Sequence, residues 1–162
     1  MAIDTNEYLP IGRILSPFTK ATGMPIQPSA AKGVQGRVEI QTRFQSGLND
    51  LNGFSHLILI YHFDRVEEYK LTVTPFLDDQ ERGVFATRAP LRPNPIGLSV
   101  VKLLTIQGNV LEIENVDVLD QTPLLDLKPY VPYFDRPEGV KAGWIERVKG
   151  DIKNKRSDER FS

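Results

Sequence analysis

The sequence contains no cysteine. That excludes disulfides, thiolate zinc sites, iron–sulfur clusters and cysteine nucleophiles. Histidine is nearly as scarce, with His56 and His62 the only two. Long hydrophobic runs are missing as well. The longest, residues 57–61, is far too short to span a bilayer. The N-terminus, MAIDTNEYLP, carries acidic residues and no apolar stretch, so it is no signal peptide and the cytoplasm is the expected compartment. Charge of one sign is lacking too. With 20 basic and 21 acidic side chains the net charge is −1, so no global field draws the chain onto nucleic acid. Any such binding needs a local basic patch.

Common catalytic signatures are also absent. No two glycines are separated by a single residue, which removes GxGxxG; no serine stands midway between two glycines as the GxSxG elbow needs, and there is no Walker GK[ST]. A Ser-His-Asp triad would have to use His56 or His62, both inside an apolar strand. Six residues apart on a strand, the two histidines stand roughly 20 Å apart and would not share one metal ion. Asp117, Asp120 and Asp126 would supply paired carboxylates for glycoside hydrolysis, but few aromatics accompany them to stack sugars.

What is present is a series of short strands. Residues 8–15 (YLPIGRIL) read as the first, ended by Ser16-Pro17. Residues 17–36 follow without helical or strand period, broken by Pro17, Gly23, Pro25, Pro28, Gly33 and Gly36. A loop this long in a compact domain is usually functional, and its prolines and apolar residues suggest an ordered lid or ligand wall. Residues 36–42 alternate as a half-buried strand, and 46–52 suit one helical turn. Residues 54–63 (FSHLILIYHF) are apolar on both alternating faces, which predicts a central strand covered on both sides. Further strands are expected over 71–76, 83–88, 97–104 and 110–119, with a tight hairpin at Gly108-Asn109 and a last short element around Trp144. About seven short strands and no convincing long helix predict an all-β fold, a barrel or sandwich. The chain reads as one domain over residues 1–148, with 149–162 a charged, frayed tail.

The stretch 83–104, GVFATRAPLRPNPIGLSVVKLL, organises the rest. Pro90, Pro93 and Pro95 each fix their own φ and restrict the residue before them. So stiff a turn holds Arg88, Arg92 and Asn94 in place before any ligand arrives. It would equally serve to join two strands with both arginines solvated. Together with Asp117, Asp126, Lys128 and Tyr130 these groups form a polar set without a conventional nucleophile. Such a set suits a zwitterionic or nucleotide-like ligand and a reaction that depends on alignment, as methyl transfer from a sulfonium does. Asp126 and Lys128 would otherwise be a surface ion pair worth little.

The segments PIGRILSPF, GMPIQPS, GFSHLILIYHF, RGVFATRAPLRPNPIGLSVVKL and DVLDQTPLLDLKPYVPYFD occur in the order of the TsaA-like family, and the chain resembles that family over residues 11–144. Its best-described members, the TrmO enzymes, are S-adenosylmethionine-dependent tRNA methyltransferases. The resemblance implies a small β-barrel, a homodimer, and methylation of N6 in threonylcarbamoyladenosine beside the tRNA anticodon. It implies cofactor contacts at Pro25, Ile26, Gln27, Asp64, Arg65, Arg88, Leu98, Glu114, Asn115, Val116 and Asp117. Arg92, Asp126, Lys128 and Tyr130 are then the candidates for holding the modified base and taking its proton. Gln27 stands where bacterial relatives often have Arg, and those relatives carry a further C-terminal domain. A same-fold methyltransferase acting on a small molecule and a non-catalytic cofactor-binding module are the competing readings.

Overall fold

The structure, a computed structural model, describes residues 5–161. Met1 to Asp4, at the start of the N-terminal segment, and Ser162, the last residue of the expected tail, lie outside the described residues. Six strands close into an antiparallel barrel in the order β1 (Gly12–Leu15), β2 (Gln35–Ile40), β7 (Val110–Glu114), β6 (Ile96–Gln107), β3 (His56–His62) and β8 (Thr122–Pro129). Pairing of Gly12 with Leu124 and Ile14 with Thr122 closes β8 onto β1. Two short strands, β4 (Thr72–Val73) and β5 (Arg82–Gly83), form a separate ribbon. Among the described residues regular α-structure is confined to Pro132–Asp135, and no helix there is long and apolar enough to cross a membrane.

The core follows from alternation. Ile14, Val38, Leu57, Leu59, Val101, Leu111, Ile113 and Leu124 point inward and are wholly buried. β6 pairs its first half with β3 and its second with β7, and an irregularity between Leu103 and Thr105 lets it turn the corner. A second cluster, Val73, Val84 and Ala89, sits under the proline-rich turn.

Several elements depart from the sequence reading. β3 buries only Leu57, Leu59 and Tyr61; His56, Ile58, Ile60 and His62 are half-buried on the outer wall. Apolarity on both faces therefore does not mean cover on both faces, because a barrel has a single interior. Pairing over 71–76 stops at Thr72–Val73, short of Pro75. The strand expected over 83–88 is only Arg82–Gly83, after which the chain folds into a 3₁₀ turn at Val84–Ala86. Thr87 explains the break, since its Oγ1 donates to the Val84 carbonyl at 2.8 Å and offers the backbone an alternative to the ladder.

The tail is a further correction. Instead of fraying, residues 156–161 pack back on the molecule. Ser157 pairs by backbone with Gly23 and Met24, and its hydroxyl donates to the Ala21 carbonyl. Arg160 Nη1 donates to Pro75 O at 2.7 Å, and Phe161 packs edge-on against Phe76 at 4.8 Å. Apart from the Phe161 ring, these contacts run to backbone carbonyls and amides, which a polar composition does not reveal.

Candidate functional site

Gly97, Ser99 and Val101 are successive inward positions of β6. At Gly97 a Cβ would lie 2.2 Å from Cε2 of Tyr61, so only glycine leaves room for that ring. Tyr61 packs edge-on against Phe63 at 5.4 Å, and its hydroxyl lies 3.0 Å from Ser99 Oγ. Ser99 Oγ in turn donates to Asp117 Oδ1 at 2.6 Å. Since Ser99 has one proton and gives it to the carboxylate, Tyr61 is the donor to Ser99. The chain of donors ends on Asp117. Burial pushes the Asp117 carboxyl up to about 6, opposed by the Ser99 hydrogen bond and the Arg88 charge. Burial and the neighbouring Asp117 charge push the Tyr61 hydroxyl well above its usual range.

The charge of Arg88 acts on this carboxylate, and its Nη1 donates to Gln27 Oε1 at 3.2 Å. Gln27 belongs to the long loop, which is ordered. Asp120 N donates to Phe18 O at 2.7 Å, and Arg65 bridges Thr19 O and Asp120 O. Asn115, at φ 70°, accepts Gly33 N through Oδ1 and donates its own N–H to Val34 O. Val116 is fully buried beside Gly36. The structure thus brings Gln27, Arg88 and Asp117 together at one mouth of the barrel. Arg65, Asn115 and Val116 build the frame around them, and buried Pro25 pairs with Arg156 beside half-buried Ile26.

Other candidate residues lie elsewhere. Leu98 alternates with Ser99 and so faces outward, 46% exposed. Glu114 sits on the outer wall, with Lys102 Nζ 4.0 Å away. Asp64 is exposed, its N–H bonded to His62 O. Arg92 Nη1 donates to the carbonyls of Val84, Thr87 and Ala89, which ties it to its own turn. Asp126 and Lys128 form a 2.7 Å ion pair on β8. Asp126 also lines an open cleft of about 410 Å³ together with Ile11, Arg43, Phe44 and Leu48. Tyr130 stacks edge-on to His56 at 6.4 Å. No hydrogen bond or ion pair among the described residues joins these groups to the Arg88–Asp117 mouth.

Sequence reasoning missed Ser99 and Tyr61. A serine in an apolar strand and a glycine two residues earlier are the signals that would have found them, because both are out of place in a plain core strand.

The model of the tRNA-methyltransferase O N-terminal domain matches residues 13–136. A probable S-adenosyl-L-methionine-binding protein of Pyrococcus abyssi is 53% identical over 154 residues, covering 95% of this chain and 84% of the relative. A tRNA (adenine(37)-N6)-methyltransferase of Mus musculus is 36% identical over 138 residues, covering 81% of this chain and 32% of the relative. Among solved structures, TrmO from Pseudomonas aeruginosa superposes with a TM-score of 0.74 at 36% identity, covering 87% of this chain and 63% of that one. The chain therefore spans less than two thirds of the Pseudomonas protein and less than half of the mouse relative.

Proposed function

The chain belongs to the tRNA-methyltransferase O N-terminal domain family, and we propose that it uses S-adenosylmethionine to methylate N6 of threonylcarbamoyladenosine beside the tRNA anticodon. The observation that carries this reading is the mouth formed by Arg88, Gln27 and Asp117 over the buried Ser99–Tyr61 pair. A cation, an amide and an oriented carboxylate fit the donors and acceptors of a zwitterionic nucleoside. Among the described residues Oδ1 of Asp117 is the carboxylate oxygen engaged by another side chain, which leaves Oδ2 to accept from a ribose hydroxyl or an adenine amine. Arg88 holds the amino-acid end, and Glu114 is the second candidate acceptor. The loop residues Pro25, Ile26 and Gln27 form one wall, braced by Arg65, with Asp64, Asn115 and Val116 in its frame.

When bound, the cofactor supplies an electrophilic methyl group on a positively charged sulfur that leaves as a neutral thioether. The chain then needs to align the acceptor nitrogen and remove its proton. Asp126 is the acceptor for the ureido N6 proton, with Lys128 Nζ at 2.7 Å as counter-charge, and because the pair lies away from the mouth within one chain this role requires a second copy to bring it there. Lys128 and Arg92 bind the threonyl carboxylate or a phosphate, and Tyr130 borders the base. Among the described residues the bonds of Arg92 to its turn all run through Nη1, which leaves Nε and Nη2 for this role.

A homodimer accords with the outer wall, where Ile58, Ile60, Ile96 and Leu98 make an apolar strip across β3 and β6. Ile96 and Leu98 are 42% and 46% exposed. A second copy seated there would bring Leu98 to the partner's site. The net charge of −1 favours a second reading, a small-molecule substrate for the same methyl transfer.

The deciding experiment is transfer of label from S-adenosylmethionine to threonylcarbamoyl-modified tRNA, beside unmodified tRNA and an Asp126→Asn control. Label in the modified tRNA alone, lost in the control, is the expected result. Cofactor binding without label in either tRNA would overturn the tRNA reading and favour the small-molecule one.

A further inference from the structure

Phe85 is 75% exposed, yet the turn that carries it is bonded on both sides of the ring's own residue. The 3₁₀ turn Val84–Ala86 drives Val84 into the core beneath it, which forces the next side chain outward. Thr87 Oγ1 and Arg92 Nη1 both donate to Val84 O, and Trp144 Nε1 donates to Ala86 O at 2.8 Å. The ring therefore does not reach water through a loose loop. It is mounted there.

The segment that carries it has charge of one sign. From residue 83 to 104 the chain carries Arg88, Arg92 and Lys102 and no carboxylate. The Arg92 guanidinium lies 5.9 Å from the Phe85 ring centre, at the outer limit of a cation–π contact, so one face is flanked and the other is open. Arg88, three residues on, reaches the mouth at Gln27 and Asp117. A rigid aromatic face beside unpaired guanidinium nitrogens is the arrangement that takes a nucleobase on the ring and a phosphate on the cation. A protein partner would have to bring carboxylates to the same spacing, whereas a nucleotide strand brings an anion and a flat π face with every residue.

We infer that Phe85 is a stacking platform for an unpaired base of the RNA substrate, delivered to the mouth beside Arg88, with Arg92 receiving the adjoining phosphate. This rests on the tRNA reading above and adds the surface that recognises the strand. Stacking is sequence-tolerant, so Phe85 supplies affinity and placement rather than base identity.

The test is binding of an anticodon stem-loop RNA, followed by fluorescence anisotropy, for the wild type and for Phe85→Ala, Phe85→Leu and Phe85→Trp. Cofactor affinity is measured in parallel by calorimetry, and sedimentation is run on each variant. Phe85→Ala and Phe85→Leu are expected to weaken RNA binding about tenfold, as loss of one stacked base does. Phe85→Trp should keep the affinity, with its fluorescence quenched by the RNA, and cofactor binding should not change. RNA affinity retained by Phe85→Leu overturns the inference alone, because a bulky aliphatic would then suffice. A shift to a smaller species in Phe85→Ala also overturns it, by making the ring a contact between copies of the chain. Absence of RNA binding by the wild type overturns the tRNA reading, and this inference with it.

Discussion

Ser99, wholly buried in β6, donates a 2.6 Å hydrogen bond to Asp117, the carboxylate at the mouth of the barrel. The bond fixes which oxygen faces the cleft and opposes the burial that pushes the carboxyl up to about 6. In Ser99→Ala the carboxyl should titrate higher still and lose its orientation. S-adenosylmethionine affinity is then expected to fall about tenfold at pH 7, the size of a hydrogen bond to a charged group. The acid limb of the binding profile should move to higher pH. Calorimetry from pH 5 to 8 checks both, and an unchanged profile would mean that Ser99 only fills space.

Asp117 also sets a pH dependence of stability. The folded chain keeps the carboxyl proton to about pH 6, whereas the unfolded chain releases it near 3.8. Stability therefore falls as pH rises between these values and is flat above. Asp117→Asn should remove that fall, making the variant about 3 kcal/mol more stable than the wild type above pH 6 and no more stable below pH 4. Urea titrations at several pH values decide it.

Gly97 faces the Tyr61 ring so closely that any Cβ collides with it, 2.2 Å from Cε2. Tyr61 is itself buried and held by Ser99, so it has nowhere to retreat. Gly97→Ala is expected to cost about 3 kcal/mol, the upper part of the usual range for overpacking. A thermal melt reads this directly, and a melt identical to wild type would place the ring elsewhere.

Arg92 bonds three carbonyls of its own turn through one nitrogen. Arg92→Ala should therefore lower stability by about 1–2 kcal/mol, besides any effect on turnover. Lost turnover at unaltered stability would confine Arg92 to the substrate.

Ser157 ties the C-terminal segment to residues 21–24 of the long loop, with Met24 N donating to its hydroxyl at 2.8 Å. In Ser157→Ala, hydrogen exchange should quicken over 21–27 while the barrel strands keep their protection. Unaltered exchange there would leave the strap without a holding role.

The sequence by itself determined the all-β class and the family. Alternating apolar residues demanded half-buried strands, frequent proline and glycine cut them short, and the run from Arg88 to Ser99 carried the family likeness. The stiffness of the proline turn and the order of the 17–36 loop were also legible, because φ restriction is a local property. Local rules did not reach the rest. Whether β3 is covered on one face or two depends on how the sheet closes. Gly97 looks like any glycine until Tyr61 is brought across from the neighbouring strand. Arg92 reads as a free cation until its turn curls back to offer three carbonyls, and the charged tail reads as solvated until the carbonyls of Ala21 and Pro75 come within its reach. Each of these is a pairing between residues far apart in the chain. Only the tertiary structure decides it, because the partner's position is set by barrel closure and by no feature of the segment itself.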